Sequence, residues 1–204
     1  SDDNGLVVPP RLAPKPVVFV PIWRRDEEKD KVLTRARELT RDWDPLFFKI
    51  DDRDQYKPGY KFNEWELKGI PVRIEIGPRD VDGNSVVVVR RDTGEKAAVP
   101  MDALLATVNT LLEDIQRNLF ETAKQRMEER TFTVDSYDEY KERIEAGGFF
   151  RVFLDHNNPE VEARLQEDTR STIRCIPLDP TEEQGPCMIT GAPCSYRVVA
   201  AQSY

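Results

Sequence analysis

The sequence holds a single histidine, His156, and only three cysteines, Cys175, Cys187 and Cys194, in 204 residues. One imidazole and no G-x-S-x-G turn leave little for nucleophilic hydrolysis. The cysteines lack regular spacing and the chain shows no signal-peptide pattern, which excludes a disulfide framework and points to a reducing, cytoplasmic setting. No apolar run approaches the roughly 20 residues that a membrane helix needs, so no membrane partner is expected. Positive charge is short as well: 30 Lys and Arg stand against 38 Asp and Glu, a formal net charge of -8. That balance excludes a sequence-blind nucleic-acid binder relying on counterion release, while leaving room for a local basic patch. An initiator methionine is missing too. The chain opens Ser1-Asp2-Asp3-Asn4-Gly5 and places four prolines before residue 17. It reads as the middle of a longer protein, with residues 1–16 an extended linker.

What is present suffices for a core, with 39% hydrophobic beside 33% charged residues, and the length accommodates two small domains. Val17 to Ile22 is a continuous apolar run of the kind buried central strands have. From Asp26 a helical stripe follows through Val32, Leu33, Ala36, Leu39 and Trp43, and Leu46 to Ile50 reads as the next strand. This order is a βαβ unit. Ser85 to Arg91 and Glu95 to Val99 predict a hairpin turned at Asp92-Thr93-Gly94. Pro100 opens the longest helix, to about Glu129, with a stripe from Leu104 through Val108, Leu112 and Ile115 to Ala123 and Met127. Beyond Thr131 the pattern predicts a helix from Tyr137 to Ala146 capped at Asp135-Ser136 and a strand from Phe149 to Leu154. A helix from Pro159 to Glu167, a strand from Ser171 to Ile176, a loop over residues 179–193 and a closing strand from Tyr196 to Ala201 complete it.

Between the βαβ unit and the hairpin lies the most informative stretch, DDRDQYKPGYKFNEWELKGIPVRIEIGPRD, from Asp51 to Asp80. Lys57-Pro58-Gly59-Tyr60 reads as a turn, Lys61 to Lys68 as one short helix, Val72 to Ile76 as an alternating strand and Gly77 to Asp80 as an exit loop. Phe62 and Glu66 then share a helix face, whereas Trp65 points about 100° away and is expected in the core. The stretch presents Phe62, Glu66, Arg73, Arg79 and Asp80 together. Three of them have a purely structural alternative: Phe62 as core, Glu66 paired with Lys61 or Lys68, and Arg73 paired with Glu75 or Glu95.

These residues resemble the prolyl-tRNA synthetases, in the form with an extra C-terminal domain. Gly5 to Pro14, GLVVPPRLAP, is similar to the end of that family's class II catalytic domain. Asp51 to Asp80 is similar to its anticodon-binding domain, and TIRCIP (Thr172 to Pro177) with the final tyrosine, Tyr204, to its C-terminal domain. The resemblance implies an α/β fold class, with a mixed-sheet class II anticodon-binding domain over residues 17–115. A small α+β, zinc-binding-like C-terminal domain over residues 116–204 would follow, the boundary falling inside the long helix. It also implies that Phe62, Glu66, Arg73, Arg79 and Asp80 contact the anticodon of proline tRNA. The catalytic domain, which in the full-length enzyme uses ATP and Mg and forms most of a homodimer, would precede Ser1, so these residues alone should not ligate proline. The alternative is a free-standing protein-interaction module with the same fold.

Many members of that family hold zinc with four cysteines in the C-terminal domain. By the resemblance, Cys175 and Cys187 occupy two of the four slots, Thr190 replaces the last, and the first pair is absent from Asp155 to Glu162. Two thiolates cannot close a tetrahedral site, so the zinc is expected to be lost. A substitute set of His156, Cys175, Cys187 and Cys194 has suitable atoms but no C-x2-C knuckle.

Overall fold

The computed structural model describes residues 1–178 and 183–202. Two compact units, Ser1–Glu121 and Thr122–Tyr204, divide the chain within one long helix.

The first unit is an α/β sheet domain. Its elements are β1 (Val17–Pro21), α1 (Asp26–Leu39), β2 (Phe48–Ile50), α2 (Pro58–Leu67), β3 (Val72–Ile76), α3 (Pro78–Asp82), β4 (Ser85–Arg90) and β5 (Lys96–Pro100). The sheet order is β2-β1-β3-β4-β5, with β1 parallel to both β2 and β3, and antiparallel pairs at β3–β4 and β4–β5. The βαβ start is as the sequence pattern predicts, and the mixed sheet is as the resemblance implies. β1 is buried along its whole length because helices cover both its faces.

Alternation along the strands sorts the two faces. Val17, Phe19, Val72, Ile74, Ile76, Val86 and Val88 pack on one side against Val32 and Ala36 of α1 and against Leu104, Val108, Leu112 and Ile115 of α4 (Leu104–Glu129). Val18 and Val20 face the other side and pack against Trp65 and Ile70, with Phe62 at the margin. Here α2 covers β1 but leaves the same face of β3, β4 and β5 less covered. Ala98 and Lys96 of β5 are exposed there, and Arg73, Glu75 and Val87 are half-buried.

Several local expectations change. The Lys57 to Tyr60 segment is not a separate turn, because Pro58 opens α2, where its fixed φ suits the helix and its missing N–H costs nothing. The exit loop after β3 is the short helix α3, opened by Pro78 and closed over its start by the Asp80 carboxylate, which accepts the Gly77 N–H at 2.7 Å. β2 is shorter than Leu46 to Ile50 because Asp44 holds a turn, its Oδ1 accepting the Leu46 N–H at 2.8 Å. Pro100 ends β5 instead of opening the long helix, and Met101–Ala103 form a tight turn before α4 begins. The N-terminal segment is tied to this unit, as Leu6 donates to the Leu67 carbonyl at 3.1 Å and Val8 to that of Gly69 at 3.3 Å. Asp2 meets the guanidinium of Arg91 with both carboxylate oxygens, at 2.7 and 2.8 Å.

The second unit adds β6 (Thr131–Thr133), α5 (Tyr137–Ile144), β7 (Phe149–Val152), α6 (Pro159–Thr169), β8 (Ser171–Cys175), β9 (Gly185–Pro186), β10 (Pro193–Cys194) and β11 (Val198–Gln202). Its main sheet runs β6-β7-β11-β8, with β6 parallel to β7 and β11 antiparallel to both neighbours. Tyr140, Ile144, Phe150, Val152, Leu154, Val161, Leu165, Val198 and Ala200 form its core. β6 has only three residues, too few to give a readable period along the sequence. The described part of the 179–193 loop contains the two-stranded β9–β10 ribbon. Ser136 stands at the start of α5 without a side-chain cap, whereas Asn158 caps α6 by accepting the Glu160 N–H at 3.0 Å. Tyr204 lies outside the described residues. Among the described residues no helix is long and apolar enough to cross a membrane.

Candidate nucleic-acid interface

The site begins with what fixes α2. The buried carboxylate of Asp51, 1% exposed, receives a fork from Arg53 at 2.7 Å to each oxygen and the indole N–H of Trp65 at 2.8 Å. Lys61, 2% exposed, donates to the Asp51 carbonyl at 2.9 Å and lies over the ring of Trp23. Burial alone would push the Asp51 carboxyl up, but Arg53, Trp65 and Lys61 outweigh it and hold the pKa at about 2. Burial acts the other way on Lys61 and lowers its pKa against the pull of Asp51. Arg53 also bonds Glu64 of α2 at 2.5 Å, so three residues of the helix are tied to one loop. Trp65 is in the core, as its position on the helix predicts.

With α2 fixed, Phe62 stands half-buried at the margin of the sheet, and the Arg73 guanidinium lies 4.5 Å from its ring centre. Arg73 donates twice to Glu75 Oε1, at 3.2 and 3.1 Å, and Lys96 approaches the same oxygen at 3.4 Å. The Glu75 partner named for Arg73 from sequence is therefore present, as a shared rather than exclusive one. Glu66 is not paired with Lys68, which bonds Glu64 at 2.6 Å. Its half-buried side chain borders a small cavity of about 30 Å³, together with Trp65, Ile70, Arg73, Arg90 and Arg91. Arg91 donates to the Glu66 carbonyl at 3.2 Å.

Phe62, Glu66 and Arg73 thus come together beside the less covered face of β3–β5. Arg79 and Asp80 sit beyond the other end of β3, in α3, where Arg79 is exposed and one oxygen of Asp80 is engaged by Gly77. Lys96 also reaches the row of Arg73, although nothing in its local sequence points there. Its register opposite Val89, itself opposite Arg73, places it in the same row, and only strand pairing reveals that.

In the second unit Cys175 is exposed, Cys187 buried and Cys194 intermediate. Burial pushes the Cys187 thiol up, but hydrogen bonds from Thr190 and from backbone N–H groups, including Asp155 at 3.4 Å, bring it below its ordinary value. The His156 Nε2 stands 3.1 Å from the Tyr196 hydroxyl. Among the described residues no three His, Cys, Asp or Glu side chains are grouped to hold a metal ion.

Comparison with known proteins fits both units. Residues 17–111 match the family described as anticodon binding domain, and residues 137–204 match prolyl-tRNA synthetase, C-terminal. The whole chain is 48% identical to a proline–tRNA ligase of Roseiflexus sp., of which it covers 43%. It is 47% identical to that of Porphyromonas gingivalis, covering 42%, and 49% identical to that of Chloroflexus aurantiacus, covering 43%. The chain therefore spans well under half the length of these relatives, in the portion that pairs an anticodon-binding domain with a prolyl-specific C-terminal domain. On those two matches, and on identity that extends over its full length, the chain belongs to the prolyl-tRNA synthetase family.

Proposed function

We propose that this chain recognises the anticodon of proline tRNA, as the tRNA-reading part of a proline–tRNA ligase that joins proline to its tRNA with ATP and Mg. The observation that carries the reading is the convergence of Phe62, Glu66 and Arg73 at the margin of the less covered sheet face. An unpaired loop base needs an aromatic platform, which Phe62 offers. Guanine presents N1–H and N2–H donors on its pairing edge, suited to the carboxylate of Glu66. Its O6 and N7 acceptors suit Arg73 or Arg79. Asp80 retains a second carboxylate oxygen for a donor at the far end of β3. On this reading residues 17–115 are the anticodon domain and residues 116–204 the C-terminal domain. Catalysis and dimerisation then belong to an N-terminal portion outside the chain, in a cytoplasmic enzyme.

Glu66→Ala tests the assignment by titration against proline tRNA and a tRNA with another anticodon. Discrimination between the two should collapse, and equal affinity losses on both would sink it. A second part of the proposal is that the C-terminal domain has lost zinc and folds by packing alone. Cys187, the buried thiol of the set, is already satisfied by Asp155 and Thr190. Elemental analysis of chelator-free protein should return far less than one zinc per chain, and a stoichiometric amount would refute it.

A further inference from the structure

The second unit contains a groove of about 880 Å³ whose lining includes Arg126, Met127, Arg130, Gly148, Phe149 and Arg174. Three guanidiniums and a single carboxylate, Glu145, border it, in a chain whose net charge is -8. Of the other arginines of the unit, Arg143 pairs with Glu139, Arg164 with Asp168, and Arg197 with Asp135 and Glu183, whereas Arg151 and Arg170, outside the groove, have no carboxylate partner among the described residues. Arg126 and Arg130 have no carboxylate partner among the described residues. They stand one helical turn apart at the end of α4, where exposed carbonyls favour cations. Arg174 is oriented by its bond to the Gln202 carbonyl at 2.8 Å.

The adjoining wall packs closely against Arg130. Gly147 and Gly148 have φ of +74° and +124°, and a Cβ on Gly148 would lie 2.8 Å from the Arg130 carbonyl oxygen. A side chain there would be strained and would push the wall away. Phe149, 41% exposed, and Met127, 53% exposed, supply apolar surface beside the guanidiniums. Forked donors next to an exposed aromatic are the combination that takes a phosphodiester with its ribose or base.

We propose that this groove binds backbone phosphates of the tRNA, independently of sequence and in addition to the anticodon contacts. The occupant is nucleic acid because the lining is cationic and carries an aromatic. The inference rests on the tRNA-binding reading above, and the two can fail separately. The test is the full chain carrying Arg126→Gln and Arg130→Gln, titrated against proline tRNA and a control tRNA at several salt concentrations. Affinity should drop by a similar factor, roughly tenfold, for both tRNAs, and the salt slope should shrink by about 1–2, at 0.7–0.9 per phosphate lost. The Arg126→Lys, Arg130→Lys pair keeps the charge and should recover most of the slope, which separates charge from misfolding. Unchanged affinity and slope in the Gln pair overturn the proposal, as does a loss confined to proline tRNA or a Lys pair that recovers nothing. Unchanged tRNA binding is also the result that an acidic protein occupant would give. If Glu66→Ala leaves discrimination intact while the Gln pair weakens both tRNAs, the anticodon assignment falls and the groove stands. The reverse pattern removes only the groove.

Discussion

Arg73 lies over Phe62, its guanidinium carbon 4.5 Å from the ring centre, while its Nε and Nη2 donate to Glu75. The ring is therefore braced from the sheet side before any ligand arrives, and the guanidinium loses little freedom on contact with one. Phe62→Ala should weaken proline tRNA binding by roughly 1–3 kcal/mol, the range for stacking one base on an aromatic. Arg73→Lys keeps the charge but not the plane and should also weaken it. Fluorescence anisotropy with labelled tRNA measures both, and wild-type affinity in Phe62→Ala would remove the platform role.

Asp51 is the tie between the β2 exit and α2. Asp51→Ala removes a buried carboxylate from Arg53 and Trp65 and leaves Lys61 buried without its counter-charge. Breaking such a pair from one side costs roughly 3–5 kcal/mol. Urea unfolding should show that loss, and a cost near zero would mean that α2 is held by packing alone.

The same carboxylate sets an acid limit. Its pKa falls from 3.8 to about 2 on folding, so between those values the unfolded chain binds more protons. Stability from this group is present above pH 4 and disappears as pH falls through 2, a loss of roughly 2 kcal/mol. Asp51→Asn should flatten that part of the stability–pH curve, and an unchanged slope there would contradict the assignment. Lys61 contributes at the alkaline end. Its lowered pKa means that the unfolded state binds more protons there too, so its contribution rises with pH towards 10.5.

Gly69 ends α2 at φ +70°, and a Cβ there would lie 2.6 Å from the Leu6 carbonyl oxygen. Gly69→Ala should cost more than the roughly 1–2 kcal/mol of a left-handed residue, because the N-terminal segment must also move. Thermal unfolding reads the total. A loss confined to that range would show that residues 5–8 shift without penalty.

Much of the fold was legible because its signals are local. The apolar run at Val17, the stripe through Val32 and Ala36 and the valine-rich hairpin each specify their element from neighbouring residues alone. Boundaries at proline were harder to place, since Pro58, Pro78 and Pro100 suit a turn, a first helical residue or a strand end equally well. Phe62 and Glu66 could be placed on one face from spacing. The partner of each could not, because Lys68 turns to Glu64 and Arg73 shares Glu75 with Lys96.

Most element types and the βαβ start were set by periodicity along the chain, the family was carried by the resemblance of whole stretches such as Asp51 to Asp80, and the residue types available for base recognition came with them, because such signals lie between neighbouring residues. Which of those residues meet was settled by how the strands and helices pack. Strand register brought Lys96 into the row of Arg73, and the length of β3 separated Arg79 and Asp80 from Phe62. Folding of the second unit gathered Arg126, Arg130 and Arg174 around one groove. Register and long-range packing depend on contacts between residues far apart in sequence, and no local pattern encodes them.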